Sequence, residues 1–212
     1  MSINTLQRIA KIVISMSILL AMTACAINKP FNPIDGKRAF KHTSIAVISG
    51  SHRDQDVKLA EVITKELAKR STFRVLSQEE IEKHIPNYPS VISIRANVKD
   101  DDEKATWFQP SEKQSLDAMQ AKLRVDYLYV IWNSQMTLVT SRNGSTYYVY
   151  PVGNMIEYPG ARVVASTRSV NGSSTSILAL FRPADYYIVD ALNGAAENIV
   201  DEFLDVTKSE KP

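Results

Sequence analysis

Cysteine, glycine and histidine are all scarce in this chain. One Cys among 212 residues excludes an internal disulfide framework and any zinc site built from a cysteine cluster. Seven Gly exclude a collagen-like repeat. The three histidines, His42, His52 and His84, stand in none of the spacings that hold a metal on one face, so no metal site and no cofactor are expected. G-x-S-x-G, S-x-x-K, the P-loop and G-x-G-x-x-G are missing too, and with them the commonest nucleophile and phosphate signatures. No enzymatic activity is expected. Charge of one sign is also lacking: 25 basic against 23 acidic residues give a net +2. Without a basic cluster, nucleic-acid binding has no support. What the chain does have is 44% hydrophobic and 23% charged residues, the balance of an ordinary globular domain with its own core.

The one cysteine stands at a telling place. Arg8 and Lys11 precede the apolar run Ile12–Met22, which is short of the roughly 20 residues needed to span a bilayer. The run ends in Met22-Thr23-Ala24-Cys25, which resembles a bacterial lipoprotein lipobox. The resemblance implies cleavage between Ala24 and Cys25 and acylation, palmitate included, of the Cys25 sulfur and amine. Two or three acyl chains hold a membrane stably, where one is marginal. Ala26 follows rather than Asp, which implies sorting to the outer membrane, with the chain on its periplasmic face. Both basic residues of the first 24 leave with the signal peptide, so the mature chain carries 23 basic and 23 acidic groups.

Four segments are expected: a signal peptide over 1–24, a lipidated tether over 25–42, an α/β domain over 43–207 and a polar tail over 208–212. Ser44–Ser49 is a β-branched run closed by Gly50 and reads as a buried strand. A helix follows, capped by Asp54 or Asp56, with Leu59, Ala60, Ile63 and Leu67 on its inner face. Phe73–Leu76 reads as a strand, and Ser77-Gln78-Glu79-Glu80 as a capping box opening a short helix stopped before Pro86. Residues 86–110 are an irregular insert. Ser111-Glu112-Lys113-Gln114 is a second capping-box pattern, with Leu116, Met119 and Leu123 buried behind it, and Val125–Trp132 reads as a strand. Asn143-Gly144 predicts a hairpin, and Pro159-Gly160 a type II turn between two further strands. Asn171-Gly172-Ser173-Ser174 reads as a polar loop, Ile177–Phe181 as an apolar cover, and Ala184–Thr207 as a helix with Ile188, Leu192, Ala195, Ile199 and Phe203 inward. The order β-α-β-α-(insert)-α-β-β-β-β-α implies a mixed sheet with packed helices.

Ile45–Ser49, Phe73–Ser77, Ala121–Ile131 and Tyr158–Thr167 together resemble the TolB amino-terminal-like domains of envelope lipoproteins. That fold includes the curli secretion lipoprotein CsgG, the penicillin-binding-protein activator LpoB and the lipoprotein of Pel export. The resemblance runs over about residues 43–206 and implies an accessory or structural component of an envelope secretion or export assembly. Other envelope proteins, the membrane and a homo-oligomer are its implied partners. Two alternatives stand beside it: a regulator that binds and activates a cell-wall synthase, and a small-ligand or glycan-binding domain.

Three candidate surfaces follow from the residues. Ser49, Gly50, Ser51 and His52 form a loop at the carboxyl end of the first strand, where backbone N–H groups can hold an anion. Tyr147, Tyr148, Tyr150 and Trp132 are aromatic strand residues suited to an interface, with Tyr148 and Tyr150 on one face and Tyr147 on the other. Asp100–Glu103 is an acidic run that lacks the alternating spacing of a Ca²⁺ loop and reads as a solvated segment.

Overall fold

A computed structural model describes residues 32–33, 44–89, 110–132, 134–141, 144–168, 171–174 and 184–208. In chain order the strands are β1 (Asn32–Pro33), β2 (Ser44–Ser49), β3 (Arg74–Val75), β4 (Tyr127–Ile131), β5 (Gln135–Ser141), β6 (Gly144–Tyr150), β7 (Val152–Glu157), β8 (Arg162–Arg168) and β9 (Asn171–Ser174). The helices are α1 (Asp54–Arg70), α2 (Gln78–His84), α3 (Pro110–Leu123) and α4 (Ala184–Lys208). The class is mixed α/β, in the order expected.

The main sheet runs β1-β8-β7-β4-β2-β3. Its centre is a parallel pair, β2 on β4, in register from Ile45↔Tyr127 to Ser49↔Ile131. β7 joins β4 antiparallel, and β8 joins β7 with a bulge between Met155 and Ile156. All six residues of β2 and all five of β4 are buried, because helices cover both faces. On one face Ile45, Val47, Tyr127 and Tyr129 meet Leu59 and Ile63 of α1 and Leu192, Ile199 and Phe203 of α4. On the other, Ala46, Ile48, Leu128 and Val130 meet Ile81 of α2 and Leu116, Met119 and Leu123 of α3. Each such large side chain contributes about 1.5–3 kcal/mol by leaving water. Arg70 of α1 pairs with Asp201 of α4 across the outer surface.

A second sheet, β5-β6-β9, lies on α4. The β5–β6 register matches Met136 with Val149 and Ser141 with Gly144, so Gly144 is a strand residue and two residues make the hairpin link. β9 pairs with β6 where a polar loop was expected: Asn, Gly and Ser satisfy a ladder with backbone groups alone, which periodicity cannot reveal. β1 likewise falls in the expected tether, pairing Asn32 with Ser166 and Pro33 with Ala165. An edge strand of two residues tolerates Pro.

Helix starts differ from expectation at two of three places. Ser77 and Glu80 do form a reciprocal capping box at α2. At α1, however, the N-cap is Arg53, with no side-chain cap, and Asp56 is turned inward instead. At α3, Pro110 takes the first helical position, which its fixed φ suits, so Ser111 is inside the helix rather than capping it. The expected type II turn is a wider link, Tyr158–Ala161, with a cis Tyr158–Pro159 bond and positive φ at both Gly160 (111°) and Ala161 (51°).

Candidate functional site

Parallel strands β2 and β4 define two ends of the main sheet. Their carboxyl end meets the Ser49–His52 loop, where the Ser49, Gly50 and Ser51 donors are engaged. The Ser49 N–H donates to the Tyr88 hydroxyl at 2.7 Å, and that hydroxyl donates to Gln78 Oε1 at 3.1 Å. The Gly50 N–H donates to the Ile131 carbonyl at 2.7 Å, and the Ser51 N–H to Ser49 Oγ at 3.4 Å. Ser51 Oγ donates to Asp56 Oδ2 and accepts from the Arg53 N–H at 3.2 Å, which ties the loop to the start of α1. Asp56 also accepts from the Ser134 N–H at 2.9 Å and is fully buried. These bonds engage the Ser49, Gly50 and Ser51 amides of the expected anion loop. The buried Asp56 carboxyl lies beside them. Burial is the main reason the Tyr88 phenol is pushed up to about 12.

The amino end differs. Here α3, the start of β4 and the Tyr158–Ala161 link surround an open cavity of about 330 Å³. Lys113, Asp117 and Gln120 reach it from one side of α3, while Leu116, Met119 and Leu123 hold the helix to the core. Lys113 Nζ donates to Asp117 Oδ2 at 2.8 Å. Gln120 Nε2 donates to the Val125 carbonyl at 2.9 Å, past Arg124, whose φ of 52° ends the helix. Asp126 Oδ2 accepts from both the N–H and the Oγ of Ser44, at 3.0 and 2.7 Å, which ties the first residue of β2 to the approach of β4. Tyr158 lines the cavity at 5% exposure, with its hydroxyl oxygen buried next to Asp117. Burial raises the Tyr158 pKa, and Asp117 adds to the rise. The phenol therefore keeps its proton at neutral pH.

The aromatic residues do not form one patch. Tyr148 and Tyr150 share the outer face of the small sheet, with centroids 6.5 Å apart. Tyr147 points the other way and stacks on Tyr187 of α4 at 6.3 Å. Trp132 lies beyond the end of β4, packed against the α2–α3 side of the main sheet. Its indole Nε1 donates to the Asn154 amide oxygen at 3.1 Å when that amide faces it. Sequence reading missed Leu138 and Val139, which are 49% and 48% exposed on the edge strand β5. The β5–β6 register puts Val139 on the face of Tyr148 and Tyr150, and Leu138 opposite Tyr147. It also missed the cavity. The i, i+4, i+7 spacing of Lys113, Asp117 and Gln120 was legible as one polar stripe, but its meeting with Tyr158 was not.

Among the described residues no group of three His, Cys, Asp or Glu is placed to hold a metal. His52 and His84 are exposed and on separate elements. His42, Ala24, Cys25, Asp100–Glu103 and Ile177–Phe181 lie outside the described residues.

No family model matches the chain, and no curated protein matches it at a significant level. Several solved structures are similar. The hypothetical protein CT253 from Chlamydia trachomatis has a TM-score of 0.48 at 8% identity, over 80% of this chain and 99% of that one. Lipoprotein GNA1162 from Neisseria meningitidis has a TM-score of 0.46 at 8% identity, over 77% of this chain and 99% of that one. The PelC dodecamer from Paraburkholderia phytofirmans has a TM-score of 0.37 at 7% identity, over 76% of this chain and 90% of that one. Bacterial lipoproteins are thus among its structural neighbours. At these scores and identities no role, ligand or assembly passes from them to this chain.

Proposed function

We propose that this chain is a non-enzymatic bacterial lipoprotein, held by acyl chains on Cys25 at the periplasmic face of the outer membrane. Its α/β domain docks other proteins of an envelope secretion or export assembly. The observation that carries this reading is the order of parts: a lipobox with the only Cys, then an α/β domain packed on both faces of its sheet. Among the described residues no helix is long and apolar enough to cross a membrane, so attachment through Cys25 supplies what the domain lacks. Pairing of Asn32 with Ser166 sets the reach. Seven residue steps separate Cys25 from Asn32, which is at most about 25 Å of extended chain. The domain is therefore held close to the bilayer surface. The outward face of Val139, Tyr148 and Tyr150 is the surface that suits a protein partner.

Metabolic labelling with palmitate, followed by density fractionation of membranes, tests the anchor. The wild-type chain should carry label and travel with the outer membrane, and Cys25→Ala should lose both. Label that persists in Cys25→Ala removes the reading. On the docking side, Tyr148→Ala combined with Val139→Asp should abolish in-cell crosslinks to envelope proteins while leaving the label in place.

A further inference from the structure

Among the described residues the two sheets end in four edge strands, and three of these are blunted. β1 and β3 are two residues each, β1 with a Pro, and β9 is a four-residue Asn-Gly-Ser-Ser strand. Short strands and Pro keep an edge from pairing with another chain. β5, the fourth edge, has neither device. Its seven residues, Gln-Met-Thr-Leu-Val-Thr-Ser, include no charge and no Pro, and they pair with β6 in unbroken register. Thr137, Leu138, Val139 and Thr140 are exposed in a row, and among the described residues no strand joins β5 on its outer side. The backbone is turned to receive one. Ser141 and Gly144 close the two-residue link as a hydrogen-bonded pair, and alternation then points the N–H and C=O groups of Met136 and Leu138 away from β6. Leu138 and Val139 are two of the four large apolar side chains left exposed among the described residues, one on each face of the strand. A strand added at this edge would set a neighbour beside each.

A second copy of β5 suits this edge. Two copies related by a two-fold axis at Leu138 pair antiparallel over the whole strand: Gln135 with Ser141, Met136 with Thr140, Thr137 with Val139 and Leu138 with itself. Any other centre leaves residues of the strand unpaired. Leu138 then meets Leu138 on one face and Val139 meets Thr137 on the other, and no like charges are opposed. A net charge of +2 over 212 residues adds little long-range repulsion between copies. A strand rich in Lys or Glu would find no ion pair on β5. We infer that β5 is a self-association edge, through which two copies join into one continuous sheet in the order β9-β6-β5-β5-β6-β9. The face of Val139, Tyr148 and Tyr150 stays open in that pair, because strands join at their edges. The pairing needs neither acyl chains on Cys25 nor another protein. One strand pair is a small interface, so a dissociation constant of about 10 µM is expected.

The test uses the full chain in detergent. Sedimentation velocity from about 1 to 100 µM should show a reversible two-copy species. Leu138→Lys sets two ammonium groups against each other at the axis and should weaken pairing about tenfold, and Leu138→Glu should do the same. Both should melt as the wild type does, since residue 138 is half exposed. An equimolar mixture of the two variants should regain the two-copy species, because Lys then faces Glu. In a Cys25→Ala background, Leu138→Cys should form an interchain disulfide on mild oxidation, as directly opposed strand residues lie within disulfide reach. A wild-type chain that stays single over this range overturns the inference. So does a two-copy species that Leu138→Lys leaves intact. A single chain whose in-cell crosslinks to another protein vanish in Leu138→Lys also overturns it, and gives the edge to a foreign strand. The purified chain is measured without membrane or partner, so failure of the anchor or of docking cannot imitate these results.

Discussion

The two ends of the β2–β4 pair are built from similar materials and come out differently. Each has a carboxylate, serine hydroxyls and a tyrosine. At the carboxyl end, Asp56, Ser49, Ser51 and Tyr88 bond one another and the backbone, while the buried Ser134 hydroxyl is left without a partner. At the amino end, Asp126 and Ser44 close one contact, and Tyr158 lines an open cavity with its hydroxyl buried next to Asp117. Ligands in open α/β sheets commonly sit at the carboxyl end. Here that end is closed by its own hydrogen bonds.

The largest expected effect is at the closed end. Asp56→Ala strands the Ser51 hydroxyl and the Ser134 N–H in the interior and should cost about 3 kcal/mol. Urea denaturation reads this as a lower midpoint with an unchanged slope. A loss of only a few tenths of a kcal/mol would erase the contrast between the ends.

Glycine substitutions separate the ends next. A Cβ at Gly50 would sit 3.0 Å from Val130 Cγ1 and 3.4 Å from the Ile131 carbonyl oxygen, so Gly50→Ala should cost about 2 kcal/mol by overpacking. At Gly160 a Cβ meets nothing within 4 Å, and only the φ of 111° resists, so Gly160→Ala should cost about 1 kcal/mol. Equal losses in thermal unfolding would mean that the closed end is no tighter than the open one.

The smallest effect is alkaline. Burial raises the Tyr88 pKa to about 12, above the roughly 10 of an unfolded tyrosine. Above pH 10 the unfolded chain releases a proton that the folded chain retains. Stability is then full below pH 10 and falls as pH rises toward 12. Tyr88→Phe should flatten part of that slope in pH-dependent denaturation, whereas an unchanged slope would assign it to Tyr129 and Tyr158, whose pKa values burial also raises.

Periodicity alone identified the buried strands Ser44–Ser49 and Tyr127–Ile131, the inner faces of α1, α3 and α4, and the alternation of Tyr147 against Tyr148 and Tyr150. Those features repeat an apolar pattern every 2 or 3.6 residues, and a pattern of that kind survives in one dimension. The Ser77–Glu80 cap was legible for the same reason, since its partners are three residues apart. β1 and β9 were not legible, because Asn, Pro, Gly and Ser pair through backbone groups that carry no side-chain period. Nor was the fate of Asp56, which reads as a helix cap until Ser134, 78 residues away, arrives with its N–H. The sequence by itself determined the α/β class and the core faces. Only the tertiary structure decided which end of the sheet stays open. Hydrogen-bond saturation depends on partners brought together from 82 residues apart, as Ser44 and Asp126 are, and no local spacing records that meeting.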